Sequence, residues 1–427
     1  MNKIKKIYFV GIKGVGMASL AIIAKEAGME VRGSDLDEEF ITDVELEGIT
    51  VDIGFEKSFL DEFLGSTPNE EMLVIATAAH GGFENLLVVY ARELWIKVLS
   101  DGQAVGIFMD GEIFDREFIG ISVAGAHGKT TSSAMAAVAF TKLNRDPTYT
   151  IGTSEVFPIG FGGHYGKGDY FIAEADEYFS ELKTDRKPKF LYQNPVYLII
   201  NNIDFDHPDV YKNFDEIKYA YKQFANTDSI KTVFVSNDEK LAEIIPEIKK
   251  EIIFFGESEQ CDYKLVDFQE VGLGSKFIVE RREKGSTWIS TSDFEAKRGS
   301  TSPFAIGEFE LSVPGKHNAL NALGVIALLC EIGVHPDDMI SAIKEFQGTK
   351  RRLEKIGEGK DSLIIYDDYA HHPLEIKTSI AALKLAYPDK KLIVIFQAHT
   401  YSRTQSLMKE FGSAFEMADQ IILLPIF

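Results

Sequence analysis

The stretch from Gly125 to Thr131 (GAHGKTT) combines glycines, a lysine and hydroxyls in a spacing that suits phosphate chemistry. Glycines let backbone N–H groups approach phosphate oxygens, and a helix that begins there adds the positive end of its dipole. Lys129 supplies a charge for the outer phosphates, and the Thr130 hydroxyl can reach a magnesium ion. The sequence therefore predicts a nucleotide-phosphate loop made of Gly125, Ala126, His127, Gly128, Lys129, Thr130 and Thr131.

The loop departs from the usual P-loop pattern, which has a glycine five residues before Gly128, where this chain has Val123. It is a shortened variant, which weakens the interpretation as a generic nucleoside triphosphatase. The alternative is a plain strand–turn–helix junction with a surface lysine. That alternative leaves the Gly-Lys-Thr sequence at the junction unexplained.

Acidic clusters follow two later segments that are predicted to be strands. The first is Glu174-Ala175-Asp176-Glu177, and the second is Asp204-Phe205-Asp206-His207. Magnesium prefers carboxylate, hydroxyl and phosphate oxygens. We therefore expect Thr130, Glu174 and one group of the second cluster to share an ion with nucleotide phosphates. A solvated strand end is the alternative for each cluster taken alone.

Asn318 and Asn321 lie three residues apart at the start of a helix predicted from Gly315 to about Ile332. Residues at this spacing share one helical face. Amide side chains can both donate to and accept from an adenine edge. An asparagine N-cap with a polar helix face is the alternative that the sequence leaves open.

A second glycine-rich turn follows the first predicted strand, Lys6 to Val10. The turn, residues 11–16 (GIKGVG), has the spacing G-x-x-G-x-G and not the dinucleotide pattern G-x-G-x-x-G. A helix from Met17 and a second strand ending in Ser34-Asp35 complete a βαβ unit. The functional interpretation is a nucleotide diphosphate at the helix N-terminus, with Asp35 near a ribose or base. Tight packing without a ligand is the alternative.

Other predicted strands also end in polar residues, as α/β sheets do where they bind ligands. Thr77 follows one strand, and residues 367–373 (DDYAHHP) and 397–404 (QAHTYSRT) follow two others. The pair His371-His372 invites a metal site. Adjacent residues on an extended segment face opposite ways, so the sequence does not favour that interpretation.

Short apolar strands that alternate with helices predict an α/β fold with three domains. We expect a Rossmann-like domain over residues 1–109, a central P-loop domain with a mainly parallel sheet over 110–323, and a Rossmann-like C-terminal domain over 324–427. Residues 256–309 alternate in polarity and predict antiparallel strands. The chain ends within a predicted strand, so we expect the third domain to be incomplete.

Composition narrows the choice of partners and compartment. The net charge of −21, from 45 basic and 66 acidic residues, opposes non-specific binding to nucleic acid. Cys261 and Cys330 lie far apart, which fits a reducing compartment. No apolar run is long enough to span a bilayer. We therefore expect a cytoplasmic monomer or homodimer that binds small molecules, and neither nucleic acid nor membrane.

Taken together, these segments resemble the Mur ligase family, the ATP-dependent amide-forming enzymes of peptidoglycan synthesis. The resemblance covers essentially the whole chain. It rests on motifs that occur in the family's order: GIKGVGM (11–17), GSD (33–35), GAHGKTT (125–131), EADE (174–177), HNALN (317–321), YDDYAHHP (366–373) and YSRT (401–404). It implies that the first glycine-rich turn binds a UDP-sugar and not a dinucleotide.

The resemblance implies that the three domains bind the UDP-substrate, ATP and an amino acid, in that order. It implies that L-alanine is joined to the carboxylate of UDP-N-acetylmuramate through an acyl phosphate, with ATP and Mg²⁺ as cofactors. The implied UDP-substrate positions are Gly14, Val15, Gly16, Met17, Ser34, Asp35 and Thr77.

The resemblance also implies roles around the nucleotide. Lys129 binds the ATP phosphates, and Asn318 and Asn321 hold adenine. The implied magnesium contacts are Thr130, Glu174 and His207. From the third domain, Arg352 and Asp368 close on the nucleotide, and His371 and Arg403 face the amino acid or the acyl intermediate. The expected catalytic residues are Lys129, Glu174, His207 and His371.

The chain departs from the family pattern in ways that bear on the acceptor. Ala126 replaces a threonine of the loop, and residues 398–400 (AHT) replace Pro-His-Arg, so one expected arginine is missing. The long segment 179–195, with residues 351–354 (RRLE), is more typical of members that attach a recycled tripeptide to UDP-N-acetylmuramate. The first domain and residues 401–403 favour L-alanine, so the tripeptide ranks second.

Two other classes of function compete with a ligase. A nicotinamide oxidoreductase would explain the first βαβ unit, but it leaves the P-loop unexplained. A non-catalytic sensor of nucleotide or UDP-sugar would explain the missing arginine and the abrupt C-terminus. The sensor predicts ligand binding without turnover.

Overall fold

The computed structural model describes residues 4–181, 183–205, 207, 210–282, 305–399 and 401–426. The first region is an α/β unit with five strands. The strands are β1 Lys6–Val10, β2 Glu30–Asp35, β3 Thr50–Ile53, β4 Met72–Ala76 and β5 Lys97–Ser100. The helices are α1 Val15–Glu26, α2 Lys57–Leu64, α3 Leu86–Glu93 and α4 Asp101–Asp110.

This first sheet is parallel throughout, with the strand order β3-β2-β1-β4-β5. Strand β1 is apolar on both faces because helices cover both faces of the sheet. Ile7 and Phe9 pack into one buried cluster, and Tyr8 and Val10 pack into the other. The predicted βαβ unit is confirmed. Its helix begins two residues before Met17 because Gly14 is the N-cap.

The central region carries most of the strands. They are β6 Ile119–Ala124, β7 Thr148–Phe157, β8 Gly160–His164, β9 Tyr170–Glu174, β10 Phe179–Glu181, β11 Asp185–Pro188, β12 Tyr197–Ile200, β13 Thr232–Ser236, β14 Glu251–Gly256, β15 Tyr263–Val271, β16 Gly274–Arg281, β17 Ala305–Leu311 and β18 Gly348–Thr349. The helices are α5 Lys129–Lys142, α6 Phe214–Ala225, α7 Lys316–Glu331 and α8 Pro336–Lys344.

The central sheet has the order β17-β16-β15-β14-β13-β12-β6-β9-β7-β18, with β8 on β7. Its middle, from β7 to β15, is parallel, and its two ends are antiparallel. This confirms the mainly parallel P-loop sheet and, within the described part of 256–309, the antiparallel strands. Because β6, β9 and β12 are neighbours, the segments that follow them meet at one edge of the sheet.

One predicted domain boundary needs correction. The boundary between residues 323 and 324 falls inside α7, most of whose side chains are buried in the central core. Helix α8 packs against β17, and β18 pairs with β7. Residues up to Thr349 therefore pack with the central sheet, because an apolar helix cannot be divided between two cores. The other boundaries stay a prediction.

The third region contains two small sheets. Its strands are β19 Glu354–Glu358, β20 Ile364–Asp367, β21 Ile393–Gln397 and β22 Gln420–Leu424, and its helices are α9 Pro373–Ala386, α10 Tyr401–Ser406 and α11 Met408–Ala414. β19 and β20 pair antiparallel, and β21 and β22 pair parallel. Ile376 and Ile380 of α9 pack against Phe411 and Phe415. Asp206 and Thr400, which the sequence analysis named, lie outside the described residues.

The first and central regions touch closely. The Ser19 hydroxyl of α1 donates a hydrogen bond to the Ile151 carbonyl over 3.3 Å. A Cβ at Gly163 in β8 would lie 2.3 Å from the backbone oxygen of Ser19, so this approach requires glycine. Among the helices that the structure describes, none has the length and apolar character to cross a membrane.

Candidate active site

The predicted phosphate loop connects β6 to the N-terminus of α5. Gly128 has a φ of 78°, and a Cβ there would lie 2.3 Å from Oδ1 of Asn321, so both backbone and space demand glycine. Asn202, just after β12, fixes the loop from the neighbouring strand. Its Oδ1 accepts from the His127 amide over 2.8 Å, and its Nδ2 donates to the His127 carbonyl over 3.0 Å.

Lys129 is held in the loop as a cation. Its Nζ donates to the Gly125 carbonyl over 2.7 Å and lies 2.8 Å from a carboxylate oxygen of Glu177. Burial opposes the charge, but nearby carboxylates, chiefly that of Glu177, outweigh it and raise the pKa of Lys129 above its usual value. The sequence analysis gave Glu177 no role of its own, although it belongs to the acidic cluster after β9.

Thr130 and Glu174 meet as predicted. The Thr130 hydroxyl donates to Oε1 of Glu174 over 3.1 Å, and the Gly152 amide donates to Oε2 over 2.9 Å. Burial raises the pKa of Glu174, and the charge of Lys129 opposes that rise. A hydroxyl and a carboxylate at one strand end are donors that Mg²⁺ prefers, so these residues fit the ion that the sequence analysis expected.

His207 lies beside Glu177. Its Nε2 is 3.4 Å from Oε1 of Glu177, and its ring packs edge-on against Tyr178 at a centroid distance of 5.3 Å. His207 therefore lies next to Glu177, the carboxylate that pairs with Lys129. The structure thus gathers all three expected magnesium contacts around the loop.

A half-buried lysine ties the acidic cluster to the first region. Lys189 Nζ lies 3.0 Å from a carboxylate oxygen of Asp176 and 3.0 Å from one of Asp101 in α4. Burial alone would raise the pKa of Asp176, but the charges of Lys189 and Lys129 hold it below its usual value. Sequence reasoning missed Lys189, which has no local pattern that distinguishes it.

Asn318 and Asn321 are buried on α7 beside the loop. The N-cap of α7 is Gly315, so the alternative that either asparagine caps this helix is wrong. Asn318 Nδ2 donates to the Pro314 carbonyl over 2.7 Å, and Asn321 Nδ2 lies 3.4 Å from Oδ1 of Asn318. Both side chains line the cavity at the loop.

Glu375 of α9 joins the third region to the loop. Its Oε1 lies 3.1 Å from Nδ1 of His127, and its Oε2 accepts from the backbone amides of His371 and His372. Burial alone would raise the pKa of Glu375, but His127, His371 and Arg352 hold it well below its usual value. The sequence analysis did not single out Glu375; the capping pattern of His372 and Glu375 was the available signal.

The predicted third-region residues surround this contact. Arg352 lies 3.8 Å from Glu375, and His371 Nδ1 lies 2.9 Å from the Tyr369 carbonyl. Asp368 accepts from the Ala370 amide over 3.1 Å and from the Ser379 hydroxyl, and burial raises its pKa. The structure also places Arg403, which is 7% exposed, on the wall of the same cavity.

The predicted UDP-substrate residues gather at the carboxyl ends of β1, β2 and β4. Gly14, Val15 and Gly16 open α1, and Ser34, Asp35 and Thr77 follow or end neighbouring strands. Asp35 is buried; its Oδ2 accepts from the Lys13 amide over 2.8 Å, and its Oδ1 lies 3.2 Å from Nε2 of His80. The Met17 side chain lies in the apolar core and not on the surface of this turn.

A cavity of about 1180 Å³ lies between the three regions, and of the predicted UDP-substrate residues, all of which the structure describes, only Val15 lines it. Its walls include Val15 of the first region, the phosphate loop, Glu174 and His207 of the central region, and Arg403 of the third. A shortened P-loop with a buried lysine, a carboxylate on the adjacent strand and an opening toward two further α/β units define a multidomain enzyme that uses a nucleoside triphosphate.

Comparison with known proteins specifies the family. Three family models match: the Mur ligase family catalytic domain over residues 6–112, the Mur ligase middle domain over 123–329, and the Mur ligase glutamate ligase domain over 351–425. UDP-N-acetylmuramate–L-alanine ligase of Desulfitobacterium hafniense is 37% identical over 99% of this chain and 84% of its own length. The enzyme of that name from Geotalea uraniireducens is 36% identical over 100% of this chain and 84% of its own length.

Solved structures agree. UDP-N-acetylmuramate-alanine ligase of Thermotoga maritima has a TM-score of 0.76 and 26% identity, covering 99% of this chain and 85% of that one. A UDP-N-acetylmuramate:L-alanyl-γ-D-glutamyl-meso-diaminopimelate ligase from Neisseria meningitides has a TM-score of 0.65 and 25% identity, covering 82% and 100%. The chain belongs to the Mur ligase family, as its motifs indicated. It is an ATP-dependent ligase that forms amide bonds between small molecules.

Proposed function

We propose that this protein joins L-alanine to the carboxylate of UDP-N-acetylmuramate in the cytoplasm, with cleavage of ATP to ADP and phosphate. The relatives that match nearly the whole chain carry this activity in their names. The observation that carries the proposal is the shared cavity, which brings Val15 at the start of α1, the phosphate loop and Arg403 to one space. A ligase needs such a space because three substrates must meet.

In the first step, the muramate carboxylate attacks the γ-phosphate of ATP, and ADP leaves. Lys129, fixed by Glu177, and the loop amides of α5 disperse the charge that develops on the phosphoryl oxygens. Thr130, Glu174 and His207 would hold Mg²⁺, which neutralises phosphate charge when it is bound. Asn318 and Asn321 hold the adenine, and Arg352 and Asp368 close over the nucleotide.

In the second step, the neutral amine of alanine attacks the acyl carbon, and inorganic phosphate leaves. His371 and Arg403 face this amino acid from the third region. The contact between Glu375 and His127 holds α9 against the phosphate loop. This closure excludes water, which would otherwise hydrolyse the acyl phosphate.

The UDP-substrate occupies the first region in this proposal. Its diphosphate lies at the N-terminus of α1, where Gly14, Val15 and Gly16 leave backbone amides accessible. Ser34, Asp35 and Thr77 surround the nucleoside. Met17 contributes through its backbone, because its side chain packs in the core.

The tripeptide acceptor remains the second candidate because residues 351–354 (RRLE), which are more typical of the members that use it, line the cavity. The long segment 179–195 gives it less support. That segment forms β10, β11 and a short turn packed against α4, where Gly102 and Gly106 approach it closely. Of its residues that the structure describes, none lines the cavity.

Phosphate release tests the proposal and its alternative together. The protein is supplied with ATP, Mg²⁺ and UDP-N-acetylmuramate, and L-alanine, L-serine, glycine or the tripeptide is added in turn. The proposal predicts the strongest release with L-alanine and none without UDP-N-acetylmuramate. Phosphate release that requires the tripeptide would show that the tripeptide, and not L-alanine, is the acceptor. Release that does not depend on the acceptor would contradict ligation.

A further inference from the structure

A second set of metal-ligand side chains lies beside the phosphate loop. His127, Asp204 and His372 each offer a ring nitrogen or a carboxylate oxygen, and these atoms lie within 4.8 Å of one another. The three residues come from the loop, from the segment after β12 and from the residue before α9. Two imidazoles and one carboxylate suit Zn²⁺ or Co²⁺, whereas Mg²⁺ prefers a shell made mostly of oxygen donors.

His127 is oriented as a ligand. Its Nδ1 faces Oε1 of Glu375 at 3.1 Å, and its Nε2 is buried and has no hydrogen-bond partner in the part of the chain that the structure describes. If Nδ1 donates its proton to the carboxylate, Nε2 keeps a lone pair. A carboxylate that orients a histidine in this way is typical of metal sites. The rings of His127 and His372 are 4.7 Å apart between centroids.

The other two residues can complete the set. The hydrogen bonds that Asp204 accepts from Lys240 Nζ and from the Phe205 amide, each 2.7 Å, both use Oδ1, which leaves Oδ2 for an ion. His372 is 8% exposed, and its Nδ1 accepts from the Leu374 amide over a long 3.3 Å. Because metal binding displaces protons from its ligands, an ion can take either nitrogen of this ring.

We propose that His127, Asp204 and His372 bind one divalent transition-metal ion, such as Zn²⁺, with Glu375 orienting His127. Three protein ligands leave the fourth tetrahedral position for water or another oxygen ligand. The ion fastens the third region to the phosphate loop, since His372 precedes α9. This site is separate from Thr130, Glu174 and His207, and its occupancy requires no turnover.

Co²⁺ is the probe, because tetrahedral Co²⁺ absorbs visible light strongly and Mg²⁺ does not. Metal-free protein is titrated with Co²⁺, then with Zn²⁺ or excess Mg²⁺. We expect one strongly absorbing Co²⁺ per chain, displaced by Zn²⁺ and retained in excess Mg²⁺. D204N and H372Q should each weaken binding by at least about 100-fold, and E375Q by about 10- to 100-fold, as expected for an orienting carboxylate.

Two control variants keep the proposal open to contradiction. H164Q removes a histidine that bonds to the carboxylates of Glu26 and Asp146 elsewhere, and E174Q removes the carboxylate expected to hold Mg²⁺. Both should keep the Co²⁺ absorption. Circular dichroism must first establish that H372Q is folded, since His372 also caps α9. Absence of strong absorption, its loss in E174Q or H164Q, or full binding by folded H372Q and D204N would overturn the site.

Discussion

Individual side chains of the site are held by ion pairs between residues that lie far apart in the sequence. Lys129 and Glu177 are 48 residues apart, and His127 and Glu375 are 248 apart. Both pairs are largely buried, where an unpaired charge is costly. Removing one member therefore leaves the other group without its ion-pair partner in a largely buried site.

Replacing Lys129 with methionine tests the role of its charge. K129M should lower the rate of phosphate release at least about 100-fold, because a preorganised charge on the developing phosphoryl oxygens is lost. The measurement is kcat for phosphate release with all three substrates. The matched control is K142M, at the exposed end of α5, where the lysine pairs with Glu345. Equal rates in K129M and K142M would contradict the assignment.

Glu45 predicts a pH dependence of stability. It is buried, neither carboxylate oxygen has a hydrogen-bond partner among the described residues, and burial raises its pKa to about 8. Since the folded pKa lies above the unfolded value of 4.5, folding keeps the proton, and stability falls as pH rises from about 4.5 to about 8.

The E45Q variant should remove that component of the pH dependence. Between pH 5 and 8, its free energy of unfolding should gain on the native protein by up to about 1.4 kcal/mol per pH unit. Urea unfolding at several pH values measures this difference. E47Q, on the exposed part of the same loop, should track the native protein. Parallel curves for E45Q and the native protein would show that Glu45 does not titrate in this range.

At the scale of elements, the site follows from the order of parallel strands. Strands β9, β6 and β12 are adjacent, so Glu174, the phosphate loop and Asn202 emerge side by side. Apolar, β-branched runs and glycines predicted these strands and the loop. The hydrogen bonds from Asn202 to the phosphate loop could not be predicted, because no local pattern indicates which strand will be the neighbour of β6. The same holds for Lys189, whose partners come from α4 and the acidic cluster.

Loss of the Asn202 hydrogen bonds should make the phosphate loop less rigid without unfolding the sheet. N202A removes two hydrogen bonds to the His127 backbone, and we expect the KM for ATP to rise about 10-fold, which corresponds to a net loss of about 1.4 kcal/mol for the two bonds together. N226A is the control, because Asn226 also donates to two backbone carbonyls, after α6 and outside the cavity wall. The same KM in N202A and N226A would mean that Asn202 does not shape the loop.

On the scale of the whole molecule, the cavity exists because three α/β units meet. The sequence motifs predicted the family and the fold class, since glycines and strand-end residues are local patterns. The predicted boundary between residues 323 and 324 falls inside α7. Its position could not be predicted, because the burial of a helix depends on the sheet that it covers. The contact of α1 with β8, where Gly163 approaches Ser19, is another long-range feature.

A larger side chain at Gly163 should weaken the contact between the first and central regions. G163A places a Cβ 2.3 Å from the Ser19 backbone oxygen, and such overpacking should lower the free energy of unfolding by about 1–3 kcal/mol. Differential scanning calorimetry measures the loss. G357A in β19 is the control, because a Cβ there meets nothing within 4 Å. An unchanged melting temperature in G163A would mean that the two regions do not stabilise each other.

In the proposed mechanism, phosphorylation in the shared cavity activates the carboxylate of UDP-N-acetylmuramate. The most direct measurement uses substrate labelled with ¹⁸O in that carboxylate, with ATP, Mg²⁺ and L-alanine, followed by mass spectrometry of the released phosphate. We expect one labelled oxygen per phosphate from fully labelled carboxylate, because the attacking oxygen stays on phosphorus when the amine displaces the phosphate. Phosphate without label would contradict the acyl phosphate, and with it the proposed mechanism.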